Sequence, residues 1–157
     1  MRVHLLTVGG IVEPGLKAAS EMYEGRVGHY FKLDVREVAV AGRKGRDPDT
    51  VREAEAASLV AAIPENCDVV ALTREGKGMS SRRLAVYLEE LGTYGRAGVA
   101  FLIGSAEGLA ERVLESARYR LSLSPMTLSH DLARVVLLEQ LYRAGTIVRG
   151  EPYHRGP

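Results

Sequence analysis

Apolar residues recur along this chain in two rhythms, and the switches between them predict the order of elements. "VHLLTVGG" is a short apolar run closed by Gly9 and Gly10, the pattern of a buried strand stopped by flexible residues. Pro14 is tolerated in a first helical turn, and a helical stretch follows through Ala18, Ala19 and Met22. "KLDVREVAV" alternates Leu33, Val35 and Val38 with charges, as a half-exposed second strand does. The polar and basic "AGRKGRDPDT" is a loop, after which Asp49 or Thr50 can cap the Ala-rich helix "VREAEAASLVAAI".

The second half repeats the theme. "CDVVALT" is a third strand and "REGKGMSS" a glycine-containing loop. Ser80 or Ser81 can cap a helix with Leu84, Leu88 and Leu91 on one face, and Gly92 is placed to end it. "GVAFLIG" is apolar throughout, as a strand covered on both faces should be. "SAEGLAERVLESA" reads as a helix with Leu109, Val113 and Leu114 inward. "YRLSLSPMTL" is the fifth strand, and a last helix spans about residues 131–147, followed by the polar tail "RGEPYHRGP". Strands alternating with helices predict an α/β fold with a mainly parallel sheet and helices on both faces. The whole of residues 1–157 is expected to form a single domain, with only the tail after Gly150 mobile.

Composition narrows the functions. With 46% hydrophobic and 26% charged residues the balance is globular. Aromatic residues are 6% and Trp is absent, so platforms for stacking single-stranded bases are scarce. A net charge of +1 leaves nucleic-acid contact to local patches. The lone Cys67 suits a reducing compartment, the first residues are too short an apolar run for a signal peptide, and nothing approaches membrane-spanning length. A cytoplasmic protein with no membrane partner is expected.

The familiar phosphate cradles are missing. "GGIVEPGLK" has Gly10 and Gly15 at P-loop spacing, but Leu16 stands where Lys is required. No G-x-G-x-x-G or G-x-S-x-G occurs. His4, His29, His130 and His154 are far apart, so no metal is expected. In open parallel sheets ligands sit beyond the carboxyl ends of strands, which directs attention to "LTREGK", "IGSAEG" and "LSPMTLSH". The third interleaves Ser124, Pro125, Thr127 and Ser129 with Leu123, Met126 and Leu128. Backbone donors and acceptors between apolar side chains suit a flat heteroaromatic ring. The same alternation also fits the core face of a half-buried strand.

Two further features bear on partners. The run 135–138 is apolar all round the final helix, so that helix is either central to the core or shared with a second subunit. Basic residues gather at Arg43, Lys44 and Arg46, and again at Arg143, Arg149, His154 and Arg155, placed for solvent or for phosphates of a structured nucleic acid.

"FLIGSAEG", "LSLSPMTLSHDLARVVLLEQLYRA" and the ending "GEPYHR" resemble the RlmH family of bacterial 23S ribosomal RNA methyltransferases, small members of the SPOUT class. Weaker agreement over "LTREGKGMSS" and "VHLLTVG" extends the likeness across the chain. The resemblance implies methylation of N3 of a pseudouridine in 23S rRNA of the assembled ribosome, with S-adenosyl-L-methionine as donor. It further implies a SPOUT-type C-terminal trefoil knot, one of the few exceptions to unknotted chains, and a homodimer. Leu72, Gly104 and the segment Leu123, Ser124, Pro125, Met126, Thr127 and Leu128 match the family's cofactor positions. Thr73 stands where many relatives have Asp, and Ser105 where many have a second Gly.

N3 of pseudouridine carries a proton that must leave, and a nearby cation would favour the developing anion. The candidates are His130, Arg134, His154 and Arg155. At a helix start the dipole favours a neutral His130 able to accept the proton, while Arg134 suits a phosphate or a base carbonyl. Tyr142 and Arg143 could brace the dimer, and the tail "PYHR" is expected to close over the acceptor site, its own or the partner's. The competing expectation is a non-catalytic ribosome-associated binding protein using the same basic patches.

Overall fold

The structure, a computed structural model, describes the backbone of residues 1–155 and the side chains of residues 1–153. The side chains of His154 and Arg155 therefore lie outside the described residues, as do residues 156 and 157 entirely.

The central strands show how the sequence pattern becomes layers. Strand β1 (Arg2–Val8) sends Val3 and Leu5 into one core and Leu6 and Val8 into another. Strand β4 (Gly98–Ile103) divides in the same way, with Val99, Phe101 and Ile103 on one side and Ala100 and Leu102 on the other. Successive side chains of a strand point to opposite faces, so a strand apolar at every position needs cover on both. With β2 (Lys32–Val38), β3 (Cys67–Gly78) and β5 (Tyr119–Ser122) they form a five-stranded sheet in the order β2-β1-β4-β3-β5, every neighbouring pair parallel.

One face is covered by helices α1 (Pro14–Val27), α3 (Ser81–Thr93) and α5 (His130–Val148), the other by α2 (Pro48–Ala62) and α4 (Glu111–Ser116). Helix α5 lies between α1 and α3, with Leu137, Leu138, Leu141 and Ala144 fully buried. Each such Leu contributes about 1.5–3 kcal/mol relative to exposure. Most of the apolar girth of this helix is thus spent inside one chain.

Several expectations are corrected. Helix α2 starts earlier than the periodicity indicated: Asp47 is its cap, accepting the Thr50 N–H at 3.0 Å, with Pro48 in the first turn. Gly92 does not end α3, which runs to Thr93. The helix expected from Ser105 forms only as α4, because residues 105–108 fold back on themselves through a Ser105–Gly108 bridge. "REGKG" belongs to β3 rather than to a loop: the register against β5 jumps between Leu72 and Lys77, both opposite Leu121. Conversely β5 stops at Ser122, so residues 123–128 are not a strand, and of Leu123, Met126 and Leu128 only Leu123 packs on the core.

The tail after Gly150 is not loose in its first part. It turns into a short 3-10 helix (Pro152–Arg155) that packs on α5. Tyr30 donates its hydroxyl to the Glu151 carboxylate, and Tyr153 packs against Tyr142 with the rings tilted.

Candidate functional site

The irregular middle of β3 at residues 72–75 and the carboxyl ends of β4 and β5 open into one cleft of about 950 Å³. That is near the upper end of the range typical of small-molecule and cofactor sites. The register jump in β3 leaves residues 73–76 without a partner on β5, and Thr73, Arg74 and Glu75 form one wall of the cleft. Gly76 makes the jump feasible, because a Cβ there would sit 2.5 Å from the Arg120 carbonyl oxygen. Arg74 crosses from this wall to donate to Thr127 Oγ1 at 3.2 Å while its other nitrogen donates to Glu75 at 3.1 Å.

The second wall is the turn after β4. Gly104 lines the cleft, and a Cβ on it would meet the Gly108 backbone at 2.7 Å, so a compact turn of the chain against itself demands glycine there. Ser105 and Glu107 continue this wall.

The third wall is the segment between β5 and α5. Ser122 Oγ donates to the Ser124 carbonyl at 2.9 Å, and the Met126 N–H donates to Ser124 Oγ at 3.0 Å, so two serines shape the turn. Among the described residues these are the only hydrogen bonds made by main-chain groups of residues 124–128. Leu123 and Leu128 are half-buried, whereas Met126 is 77% exposed and bare of core contact. Free amides and carbonyls beside apolar side chains are what a ring with polar edges requires.

Helix α5 begins at this wall. Ser129 caps it by accepting the Leu132 N–H at 3.3 Å. His130, which lines the cleft, has Nδ1 2.9 Å from Asp131 Oδ1. A carboxylate only accepts, so Nδ1 carries the proton of that bond. Nε2 is buried and has no partner among the described residues.

Of the residues singled out from the sequence, Leu72, Gly104, Leu123, Ser124, Met126, Thr127, Leu128 and His130 are brought together around this cleft. Pro125 is exposed and is not part of its lining. Arg134 points away from the cleft's lining: it is 6% exposed, donating to Glu37 at 2.6 Å and to Glu24 at 3.1 Å. Arg143 is engaged by Glu139 at 2.8 Å, and Arg149 lies over the Tyr30 ring and donates to the His29 carbonyl at 3.1 Å. Arg43, Lys44 and Arg46 stay exposed in the loop before α2.

Residues that sequence reasoning missed are Arg74, Glu75, Glu107 and, behind the cleft, the buried Glu55. The departure at Ser105 was the available signal for the last, because an added hydroxyl in a tight turn needs a partner. No group of three or more His, Cys, Asp or Glu able to hold a metal occurs among the described residues, and no helix is long and apolar enough to cross a membrane.

Comparison with known proteins agrees with this architecture. A family model described as "Predicted SPOUT methyltransferase" matches residues 1–154. The chain is 50% identical over 155 residues to a Gemmatimonas aurantiaca protein named "Ribosomal RNA large subunit methyltransferase H", covering 99% of this chain and 100% of that one. Proteins of the same name from Listeria monocytogenes and Clostridium beijerinckii are 40% and 38% identical over 159 residues, each covering 99% of this chain and 100% of their own. An all-parallel sheet whose strand ends, glycine turn and unstructured seat converge on one cleft, in a chain matched from end to end, belongs to the SPOUT methyltransferase family.

Proposed function

We propose that this protein transfers a methyl group from S-adenosylmethionine to N3 of a pseudouridine in 23S rRNA of the assembled ribosome, and that it acts as a homodimer. The observation that carries the reading is the cleft with its free main-chain groups at residues 124–128, in a chain whose full-length relatives are named as large-subunit ribosomal RNA methyltransferases. The cleft fits the donor in volume and in lining, since apolar Leu72, Leu121 and Leu128 stand beside unpaired main-chain groups.

When bound, the donor supplies a methyl group already activated on a sulfonium, so the protein's task is placement. Leu72, Gly104 and residues 123–128 hold the donor, with the backbone of 124–128 reading its polar edges. Pro125 contributes by fixing the backbone of that turn rather than by contact. His130, held by Asp131, stands at the cleft wall, and a turn of its ring on binding would bring Nε2 to a hydrogen bond or to the acceptor's proton. Arg134 acts at a distance from the chemistry, fixing α5 against α1 and β2 through Glu24 and Glu37.

The tail residues His154 and Arg155 complete the acceptor side. Tyr153 docks beside Glu139 and Tyr142, nine or more residues along α5 from His130. That is roughly 14 Å at 1.5 Å rise per residue. On this reading the tail serves the cleft of the partner subunit. The partly exposed stripe of Leu132 and Val136, one turn apart on α5, is the proposed contact between subunits.

Calorimetry with S-adenosylmethionine tests the donor site, and transfer of labelled methyl to ribosomes lacking the modification tests the reaction. Saturable donor binding and labelling of a pseudouridine are expected. A chain that binds ribosomes but gives no heat with the donor would be the non-catalytic binding protein instead. Removing residues 151–157 is expected to leave donor binding nearly intact and to abolish methylation.

A further inference from the structure

Glu55 is on the inner face of α2, 2% exposed, beside the core residues Val51, Ala56 and Leu59. A carboxylate there costs stability unless its oxygens are hydrogen-bonded, and an apolar residue would serve the packing better. Both oxygens have partners, and the two partners belong to different parts of the molecule. Oε2 accepts from the Ser105 hydroxyl at 2.7 Å, and Oε1 accepts from the Ala41 N–H at 3.3 Å.

Ser105 is in the wall of the cleft, where its Oγ also accepts the Glu107 N–H at 3.3 Å. Ala41 lies just before the exposed basic loop of Arg43, Lys44 and Arg46. Two more contacts span the same gap: Arg52 Nη1 donates to the Glu107 carbonyl at 3.1 Å, and Arg43 Nη1 lies 3.8 Å from the Glu107 carboxylate. The turn after β4 is thus strapped to α2 and to the base of the basic loop, with the buried carboxylate as the central fastening.

We infer that Glu55 and Ser105 are a positioning pair that ties the donor wall of the cleft to the basic loop, so that donor binding and ribosomal RNA phosphate binding reinforce one another. This rests on the methyltransferase reading and deepens it. Neither side chain meets the reacting atoms. Glu55 acts by holding Ser105, which sets the path of residues 104–108, and by holding Ala41, which limits the excursions of the basic loop. A phosphate drawn to Lys44 and Arg46, which leaves Arg43 on Glu107, and a donor resting against Gly104 then favour the same arrangement, and the coupling between them is reciprocal.

The test is steady-state methylation of ribosomes together with donor calorimetry on wild type, Ser105→Ala, Ser105→Thr and Glu55→Gln. Ser105→Ala removes the hydroxyl without leaving a cavity of consequence. It is expected to raise the donor Kd about tenfold, as for loss of a hydrogen bond to a charged group. The KM for ribosomes rises with it, while kcat at saturating donor and ribosome stays within about twofold. Ser105→Thr, which keeps the hydroxyl, restores both constants, and Glu55→Gln falls between. An unchanged donor Kd in Ser105→Ala overturns the inference, as does a donor effect with no change in the ribosome KM. A uniform loss of kcat and thermal stability that Thr does not rescue overturns it too, because that would be a merely structural contact. Wild type that binds no donor at all removes the methyltransferase reading, and this inference with it.

Discussion

Tyr153 packs on Tyr142 with ring centroids 4.5 Å apart, and its hydroxyl donates to Glu139 Oε1 at 3.0 Å. The contact converts a polar, late segment into part of the helical layer, and Arg143 adds a guanidinium 4.8 Å from the Tyr153 ring. An aromatic pair and a hydrogen bond to a carboxylate together are worth about 2 kcal/mol. Tyr153→Ala is therefore expected to release the tail. Hydrogen exchange at the Glu151 amide, bonded to the Thr146 carbonyl, should accelerate at least about tenfold, and Tyr153→Phe should have a smaller effect. If the tail completes the acceptor side, methylation falls in Tyr153→Ala while the donor Kd does not move.

The same corner makes the protein sensitive to alkali. The Tyr30 hydroxyl is bonded to Glu151, and this pushes its pKa up to about 12. Burial, then the bond to Glu139, pushes Tyr153 up to about 12 as well. A raised pKa means that the folded protein keeps protons which the unfolded chain has already released. The stabilisation is fully present below about pH 10, the ordinary tyrosine value, and is lost as pH rises towards 12. Denaturant unfolding between pH 9 and 12 should show stability falling across that window. In Tyr30→Phe the fall should be shallower, and an identical slope would mean that Tyr30 does not carry it.

How far such features could be read in advance depended on whether a residue's partner was also in the pattern. Strands β1 and β4 were legible because uninterrupted apolar residues such as Val99–Ile103 have no stable place except between two layers. The convergence of Leu72, Gly104 and most of residues 123–128 was legible because apolar runs of one parallel sheet end at or near each of them. The extension of β3 was not, since "REGKG" at the sheet margin has the composition of a loop and pairs only because β5 comes alongside. Asp47 was overlooked although Pro48 immediately after it is the usual mark of a first helical turn. Glu55 was hidden more deeply. On an Ala-rich helix a glutamate reads as solvent-facing, and only the approach of Ser105, fifty residues later, makes it a buried fastening.

Arg134 separates a residue near the chemistry from one that acts through the fold. Its guanidinium joins α5 to Glu24 on α1 and Glu37 on β2, and Nε is buried without a partner. Lysine cannot reproduce two such contacts from one planar group. Because Glu37 is half exposed, solvent moderates the loss, and Arg134→Lys is expected to cost about 1–2 kcal/mol in urea unfolding. The donor Kd should change by less than about twofold. A large loss of methylation with no loss of stability would instead place Arg134 at the acceptor.

His130 presents the opposite balance. Nδ1 is occupied by Asp131, but Nε2 is buried with no partner among the described residues, a condition that costs about 1–3 kcal/mol in a protein interior. A group kept at that expense beside a cleft has a reason to be polar, and a small turn of the ring on ligand binding would present the unfilled bond. His130→Leu removes both nitrogens with only a small change in volume. It forfeits the bond to Asp131, so the net gain in stability of the free protein is about 1 kcal/mol, seen as a higher urea midpoint with unchanged slope. Donor affinity or the methylation rate should fall in the same variant by about tenfold or more, since the ligand loses its partner. A variant that is less stable and equally active would show that His130 fills space and orders the start of α5. One that is more stable and less active identifies Nε2 as a group held ready for what binds there.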